Sequence, residues 1–327
     1  MSVYTKVKTA ELKAFLLRYS LGDLVSHTGI EAGVTNTNYW LETDRGSYVL
    51  TLFEHVDDSS LDYTLGLQNH LANQGVSCAA PIVDNLDLLY SPLNGRPATI
   101  VDRVPGSVCS NPSTDKCHQI GAELARFHLS GLSFRSRKSN SRDLDWWLSM
   151  ATQLRFVLDE SDLDLIHNVI EEYQAFNLAE LPQGALHGDL FHDNALFDGD
   201  CLGGIIDFDY ACHDYFVYDL AITINDWCID EAGALISAKM NALLSAYDSV
   251  RSLLDCEHSA MPVMFQVAAL RFWLSRLYDK TFPLEGELTL VKDPNEFRQM
   301  LLLRRGELRR EGPESLSYAK AGKDSSE

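Results

Sequence analysis

The sequence predicts an α+β fold of two lobes, a small antiparallel β-sheet lobe followed by a larger, mainly helical one. Three observations carry this expectation. Stretches rich in β-branched and aromatic residues gather in the first hundred positions, the run Val104-Pro105-Gly106-Ser107 reads as a hinge, and beyond it apolar residues recur at helical spacing as far as residue 305. The lobes are expected over 1–104 and 105–310, with 311–327, rich in Ser, Gly, Glu and Lys, as a disordered tail. A chain of 327 residues has room for two such lobes.

Residues 12–19 fit a short helix. Residues 25–41 hold two extended stretches around a loop, Glu31-Ala32-Gly33-Val34-Thr35-Asn36-Thr37-Asn38. The turn Asp44-Arg45-Gly46 leads into a third strand over 48–53, completing a meander. Leu61, Leu65, Leu67 and Leu71 give 58–72 a helical face that ends near Gly75. Strands over 86–90 and 98–101 are joined through Asn94-Gly95, a dipeptide suited to a tight hairpin. Past the hinge, helices are expected over 114–129, 143–156 and 163–176. A strand-loop-strand unit over 185–208 interrupts them. Helices resume over 217–228, 232–253, 260–280 and 294–305.

Charge excludes several function classes. Asp and Glu number 47 against 27 Lys and Arg, a formal charge of −20. Nucleic-acid and anionic-membrane binding both rest on basic side chains, so neither partner is expected. No apolar run is long enough to span a bilayer. Residues 1–20 interleave Lys6, Lys8, Glu11, Lys13 and Arg18 with apolar positions, unlike a secretory leader. The seven cysteines form no CxxC pair, so reduced thiols in a cytoplasmic protein are the expectation. The oligomeric state is not readable.

The chemistry concentrates in Leu186-His187-Gly188-Asp189-Leu190-Phe191-His192-Asp193-Asn194-Ala195-Leu196-Phe197, followed by Gly204-Ile205-Ile206-Asp207-Phe208-Asp209. Phosphoryl transfer needs a carboxylate to orient an acceptor hydroxyl and oxygen ligands to hold Mg²⁺ against phosphates. Asp189 and Asn194, five apart in a polar loop, can turn towards one cavity. Ile205-Ile206 then brings Asp207 to the end of a buried strand. In the opposite lobe, the small and polar residues of 31–38 can lay backbone N–H groups and hydroxyls over phosphates.

His-Gly-Asp-x-x-x-x-Asn followed by Ile-Asp-Phe resembles the catalytic and metal loops of the aminoglycoside phosphotransferase and choline kinase superfamily. The resemblance implies a two-lobed protein-kinase-like fold, ATP as co-substrate and Mg²⁺ as cofactor. It makes Asp189 the catalytic base, and Asn194 and Asp207 the Mg²⁺ ligands. It also makes Gly33, Thr35, Asn36, Thr37 and Asn38 the nucleotide loop. His187 and Asp219 are expected to hold the catalytic loop rather than react. Asp209 replaces the glycine often found after Asp-Phe. Thr51 stands where the third strand of a kinase-like small lobe carries a Lys, and the next helix offers Asp58 and Asp62 but no Glu.

Further segments, Asn36-Thr37-Asn38-Tyr39, Tyr48 to Glu54, Tyr218 to Cys228 and Ala269 to Asp279, resemble the homoserine kinase branch of that superfamily over nearly the whole chain. That branch implies transfer of the ATP γ-phosphoryl group to L-homoserine, in threonine biosynthesis. A substrate with a carboxylate and an ammonium needs a partner for each. Arg271 and Arg276 are candidates for the carboxylate, Asp209 and Asp226 for the ammonium, and Trp227 or Trp273 for a pocket wall. The alternatives are arginines paired with acids inside the helical lobe and tryptophans in the core. At the level of function, the rivals are another small-molecule kinase of the superfamily, acting on an aminoglycoside, choline or another amino alcohol, and a nucleotide-binding pseudokinase.

Overall fold

A computed structural model of the chain describes residues 5–30, 36–54, 58–283 and 292–311. Period-two alternation builds its first lobe. Strands β1 (Leu24–Ile30), β2 (Thr37–Thr43), β3 (Ser47–Leu52), β4 (Ser91–Leu93) and β5 (Arg96–Asp102) form an antiparallel sheet in the order β1-β2-β3-β5-β4. Tyr39 and Leu41 of β2, and Tyr48, Leu50 and Leu52 of β3, all point to one face. Against them helix α1 (Thr9–Leu16) lays Leu12, Phe15 and Leu16. The Asn94-Gly95 hairpin forms, with Leu93 opposite Arg96, but its first strand starts at Ser91 rather than 86. Asp84 accounts for the difference. One of its carboxylate oxygens accepts the backbone N–H groups of Leu86 and Leu88 at 2.9 and 3.0 Å, and the other accepts Arg18 and the Ser91 hydroxyl. That pins a turn, with Asp87 at φ 61°, where alternation alone reads as a strand.

Helix α2 (Asp58–Asn73) stands between the lobes. Its Leu61 and Leu65 pack with Phe53, Leu89 and Tyr90 of the first lobe. Its Tyr63, Leu67 and Leu71 belong to the core of the second. The chain then crosses at 76–81, where Ala79 donates its backbone N–H to Ile205 and Ile205 donates to Ser77.

Beyond residue 106, β6 (Ser107–Val108) pairs with Leu196 and Phe197 of the helical half. Helix α3 (Thr114–Gly131) follows, capped by the Ser113 hydroxyl, which accepts the N–H of Lys116. Helices α4 (Leu144–Gln153) and α5 (Glu160–Ala175) start the same way, on Asp143 and Asp159. Next come β7 (Gln183–Leu186), β8 (Ala195–Asp198), β9 (Cys201–Ile205) and β10 (Cys212–Tyr215), then α6 (Phe216–Trp227), α7 (Ser237–Val250), α8 (Asp255–Thr281) and α9 (Pro294–Glu311). β6, β8 and β9 make one small sheet, and β7 pairs with β10 in another. Helix α7 starts at Ser237, not at 232. Asp230 accepts the N–H groups of Ala232 and Ala234, Gly233 turns at φ 83°, and Ile229 bridges to Leu235.

The Val104-Pro105-Gly106-Ser107 run is held close to the β8–β9 hairpin. Gly106 adopts φ 102°, and a Cβ there would sit 2.3 Å from the backbone carbon of Phe197. Gly106→Ala is therefore expected to cost about 2 kcal/mol, since it combines left-handed backbone with a backbone clash. Urea unfolding of the variant beside the parent checks this. An unchanged midpoint would show that the contact is not needed.

Candidate active site

The loop after β7 is shaped by its glycine. Gly188 adopts φ 75°, and a Cβ on it would lie 2.7 Å from the carbonyl oxygen of Tyr210. This close approach lays the 187–189 turn against the 207–210 loop. Asn194 closes the turn by donating its side-chain N–H to the Asp189 carbonyl at 2.8 Å and to the Asp189 carboxylate at 3.3 Å. With its nitrogen so committed, the Asn194 side-chain oxygen is the atom left to face a cation. Ile206 donates its N–H to the Asn194 carbonyl at 2.9 Å. The next residue, Asp207, sits at φ 62°, a strained backbone for an aspartate. Asp189, Asn194 and Asp207 thus meet at one place.

Beneath the loop lies Asp219 on α6, fully buried. It accepts the backbone N–H groups of His187 at 2.9 Å and Gly188 at 2.8 Å, and pairs with His128 Nε2 at 3.0 Å. Burial alone would raise its pKa. The hydrogen bond from His128, with the loop amides, overcomes that and holds it below the ordinary carboxylate range. On its other side, His128 Nδ1 meets the Tyr247 hydroxyl at 2.6 Å, and that hydroxyl oxygen accepts Arg251 at 3.2 Å. Arg251 in turn pairs with the buried Glu257 at 2.9 Å. The chain of partners assigns the Nε2–H tautomer to His128. His187 is likewise a tie. Its Nε2 donates to the Ile206 carbonyl at 3.0 Å and its Nδ1 accepts the Asp189 N–H at 3.3 Å, joining the Asp189 and Asp207 loops.

The electrostatics are those of crowded carboxylates. Burial pushes Asp189 up to about 7. The Arg271 guanidinium, 3.5 Å away, opposes this while Asp207 and Asp193 add to it. Asp207, although solvent-exposed, is raised by the protein packed around its carboxyl and by the charge of Asp209. Among the described residues no cluster of three or more His, Cys, Asp or Glu side chains makes a self-sufficient metal site. Asn194 and Asp207 instead offer two oxygen donors beside under-compensated negative charge. That suits a hard cation which takes its remaining ligands from phosphates and water.

The other expected residues are placed as follows. Gly33 and Thr35 lie outside the described residues. Asn36 donates to the Asp209 carboxylate at 3.2 Å across the lobes. Thr37 is turned inward, its hydroxyl donating to the buried Glu54 at 2.6 Å rather than facing the cleft. Asn38 accepts the Thr51 hydroxyl at 2.7 Å, so the position where a Lys is usual carries a neutral hydrogen bond within the sheet. Asp226 is held by the backbone N–H and ring of His192, at 2.6 and 2.8 Å, under the loop. Trp227 is core, fully buried, with its indole N–H on the Leu190 carbonyl, and Trp273 is buried as well. Arg276 pairs with Glu296 at 2.6 Å, whereas Arg271 reaches Asp189.

Sequence reasoning passed over two neighbours of the site. Tyr210 lies with its ring 4.6 Å from the Arg271 guanidinium. Lys138, in the connector between α3 and α4, reaches Ser60 of α2 at 3.2 Å and the Asp209 carbonyl at 3.4 Å. Tyr210 was readable as a third residue beyond Asp207. Lys138 carried no signal, because it stands in a segment with no periodicity.

Residues 26–253 match the model of the phosphotransferase enzyme family. The homoserine kinase of Methylobacillus flagellatus is 44% identical, over 92% of this chain and 94% of its own. That of Neisseria meningitidis serogroup B is 41% identical, over 92% and 99%. Among solved structures, an amicoumacin kinase in complex with AMP-PNP, Ca²⁺ and Ami superposes with a TM-score of 0.67 at 16% identity, over 94% of this chain and 95% of its own. A microcompartment-associated aminopropanol kinase does so with 0.65 at 15%, over 95% and 99%. These two likenesses establish the kinase-like two-lobed fold.

The buried imidazoles generate a pH dependence. Burial holds both His128 and His187 below the ordinary histidine range, so both are neutral in the folded chain at pH 7. Unfolded imidazoles titrate near about 6.5, so below that pH the unfolded chain binds protons the folded one does not. Stability is then complete above about pH 6.5 and falls as pH drops towards the lowered folded values. The Asp219 contribution is lost only at more acid pH, below about 3.9. Unfolding free energies from urea titration are expected to fall between pH 7.5 and 5.5, by up to about 1.4 kcal/mol per pH unit for each histidine. His128→Gln should shallow that slope, and an equal slope in the variant would count against the assignment.

Proposed function

The chain belongs to the phosphotransferase enzyme family and, within it, to the homoserine kinases, and from that premise we infer how its residues move the γ-phosphoryl group of ATP to the hydroxyl of L-homoserine. The product is O-phospho-L-homoserine, a step of threonine biosynthesis. The observation that carries the reading is the convergence of Asp189, Asn194 and Asp207 on two loops tied together by His187. Homoserine kinases 38–44% identical over more than nine-tenths of the chain support the reading.

Asp189 orients the acceptor hydroxyl. The hydroxyl oxygen attacks the γ-phosphorus in line, the bond to the β-phosphate oxygen breaks, and the hydroxyl proton passes late to the Asp189 carboxylate. Arg271 beside Asp189 steadies the carboxylate and offsets part of its burial. Asn194, through its side-chain oxygen, and Asp207 would hold Mg²⁺. When bound, that ion neutralises phosphate charge. Asn36 and Asn38 mark the edge of the nucleotide loop. Thr51, committed to Asn38, offers no positive charge there, so Lys138 beside Asp209 is the cation at that end of the cleft. The free thiols of all seven cysteines fit a cytoplasmic setting.

Asp189→Ala is expected to lower kcat by about 10³-fold while Mg-ATP affinity changes little. Asp207→Asn is expected to weaken Mg-ATP binding itself. Phosphorus NMR of the product and nucleotide titration by calorimetry separate the two. Loss of Mg-ATP binding in Asp189→Ala with chemistry preserved would reverse the roles.

A further inference from the structure

An amino-acid acceptor brings a carboxylate into a site already holding Asp189, Asp193, Asp207 and Asp209, in a chain of net charge −20. It needs a cation that those acids have not claimed. Arg276 is taken by Glu296, and Arg271 shares its charge with Asp189. Resting on the homoserine reading, we propose that Arg142, in the connector before α4, binds the acceptor carboxylate together with Arg271, both guanidiniums lying against Tyr210.

Four contacts place it. The Arg142 guanidinium carbon lies 4.6 Å from the ring of Trp146 and 5.9 Å from the ring of Tyr210. The Arg271 guanidinium lies 4.6 Å from that same Tyr210 ring and 3.7 Å from Phe272. Two cations thus share one tyrosine, whose backbone carbonyl packs on Gly188, the neighbour of Asp189. Stacking on aromatic faces leaves the edge of a guanidinium, where its N–H groups lie, free for a planar carboxylate.

The Arg142 edge is short of partners. Its Nε is buried and finds no hydrogen-bond acceptor among the described residues. A buried N–H left unpaired is costly, so an acceptor atom is wanted there. The backbone of the connector is nonetheless fixed. Asn140 accepts the Arg142 N–H at 2.8 Å and donates to Asp214 of β10 at 2.8 Å. The arginine is therefore preorganised, which lowers the entropy lost on binding. Reach agrees as well. Four single bonds separate the hydroxyl oxygen of homoserine from its carboxyl carbon, about 5 Å when extended. Asp189 stands 3.5 Å from the Arg271 guanidinium, so a hydroxyl held at Asp189 leaves the carboxylate within that length of Arg271, beside Tyr210. The Tyr210 ring, 39% exposed, gives the intervening methylenes an apolar wall.

The test is steady-state kinetics of the full chain with L-homoserine and with its neutral carboxamide. Arg142→Ala is expected to raise KM for homoserine about 10- to 100-fold, with KM for ATP and kcat at saturation within about twofold. The preference for homoserine over the carboxamide should fall by the same factor. Arg142→Lys should recover part of it, keeping the charge but not the fork. The overturning results are an unchanged KM for homoserine, or a parallel loss in kcat and both KM values with a lowered melting temperature in both variants. Wild-type enzyme inactive on homoserine would instead bring down the functional reading on which this one rests.

Discussion

A carboxylate sealed from water beneath the catalytic turn is the constraint around which the second lobe is arranged. An isolated buried charge costs several kcal/mol, so Asp219 is tolerable only with donors on every side. Two of them are the backbone N–H groups of His187 and Gly188, which fixes the turn that carries Asp189. The third is His128, which must then be neutral, with its far nitrogen accepting from Tyr247. Tyr247 needs Arg251, and Arg251 needs Glu257. One charge on α6 thereby recruits α3, α7 and α8. Position of the reactive carboxylate and packing of the helical lobe become the same problem.

The small lobe solves a different one. Its third strand carries no lysine towards the cleft. It has a Thr51–Asn38 hydrogen bond instead, with Glu54 held inward by Thr37, Thr5 and Arg96. A lysine charge is thus absent from β3, and the link from the start of β2 to the metal loop, Asn36 to Asp209, is neutral on one end. The positive groups near the reacting centre, Arg271, Lys292, Lys138 and Arg142, all come from the helical lobe.

What was legible in the sequence followed from local chemistry. The meander, the Asn94-Gly95 hairpin and the main helices are written in alternation and period. The Asp189-Asn194-Asp207 set is written in spacing, because both loops are short and their flanks buried. Elements failed where a side chain captured the backbone. Asp84 made a turn of an apparent strand, and Asp230 delayed α7. Partner choice was the other limit. Nothing in the sequence says that Arg276 faces Glu296 while Arg271 faces Asp189, although both lie on α8. Trp227 illustrates the same limit, being core because its indole N–H finds the Leu190 carbonyl. Arg142 was invisible, since a lone arginine in a connector has no pattern until its aromatic neighbours are known.

Helix α2 divides its leucines between the two cores. Each buried leucine is worth roughly 1.5–3 kcal/mol, so detaching either face of the helix would cost several kcal/mol. Admission of a nucleotide cannot proceed by swinging the two lobes apart like separate bodies. The inexpensive deformation is a rocking of the five-stranded sheet over a stationary α2. The helix thus acts as a fulcrum, and the travel available to the sheet is set by its lever arm from α2 rather than by the softness of the connector at Gly106.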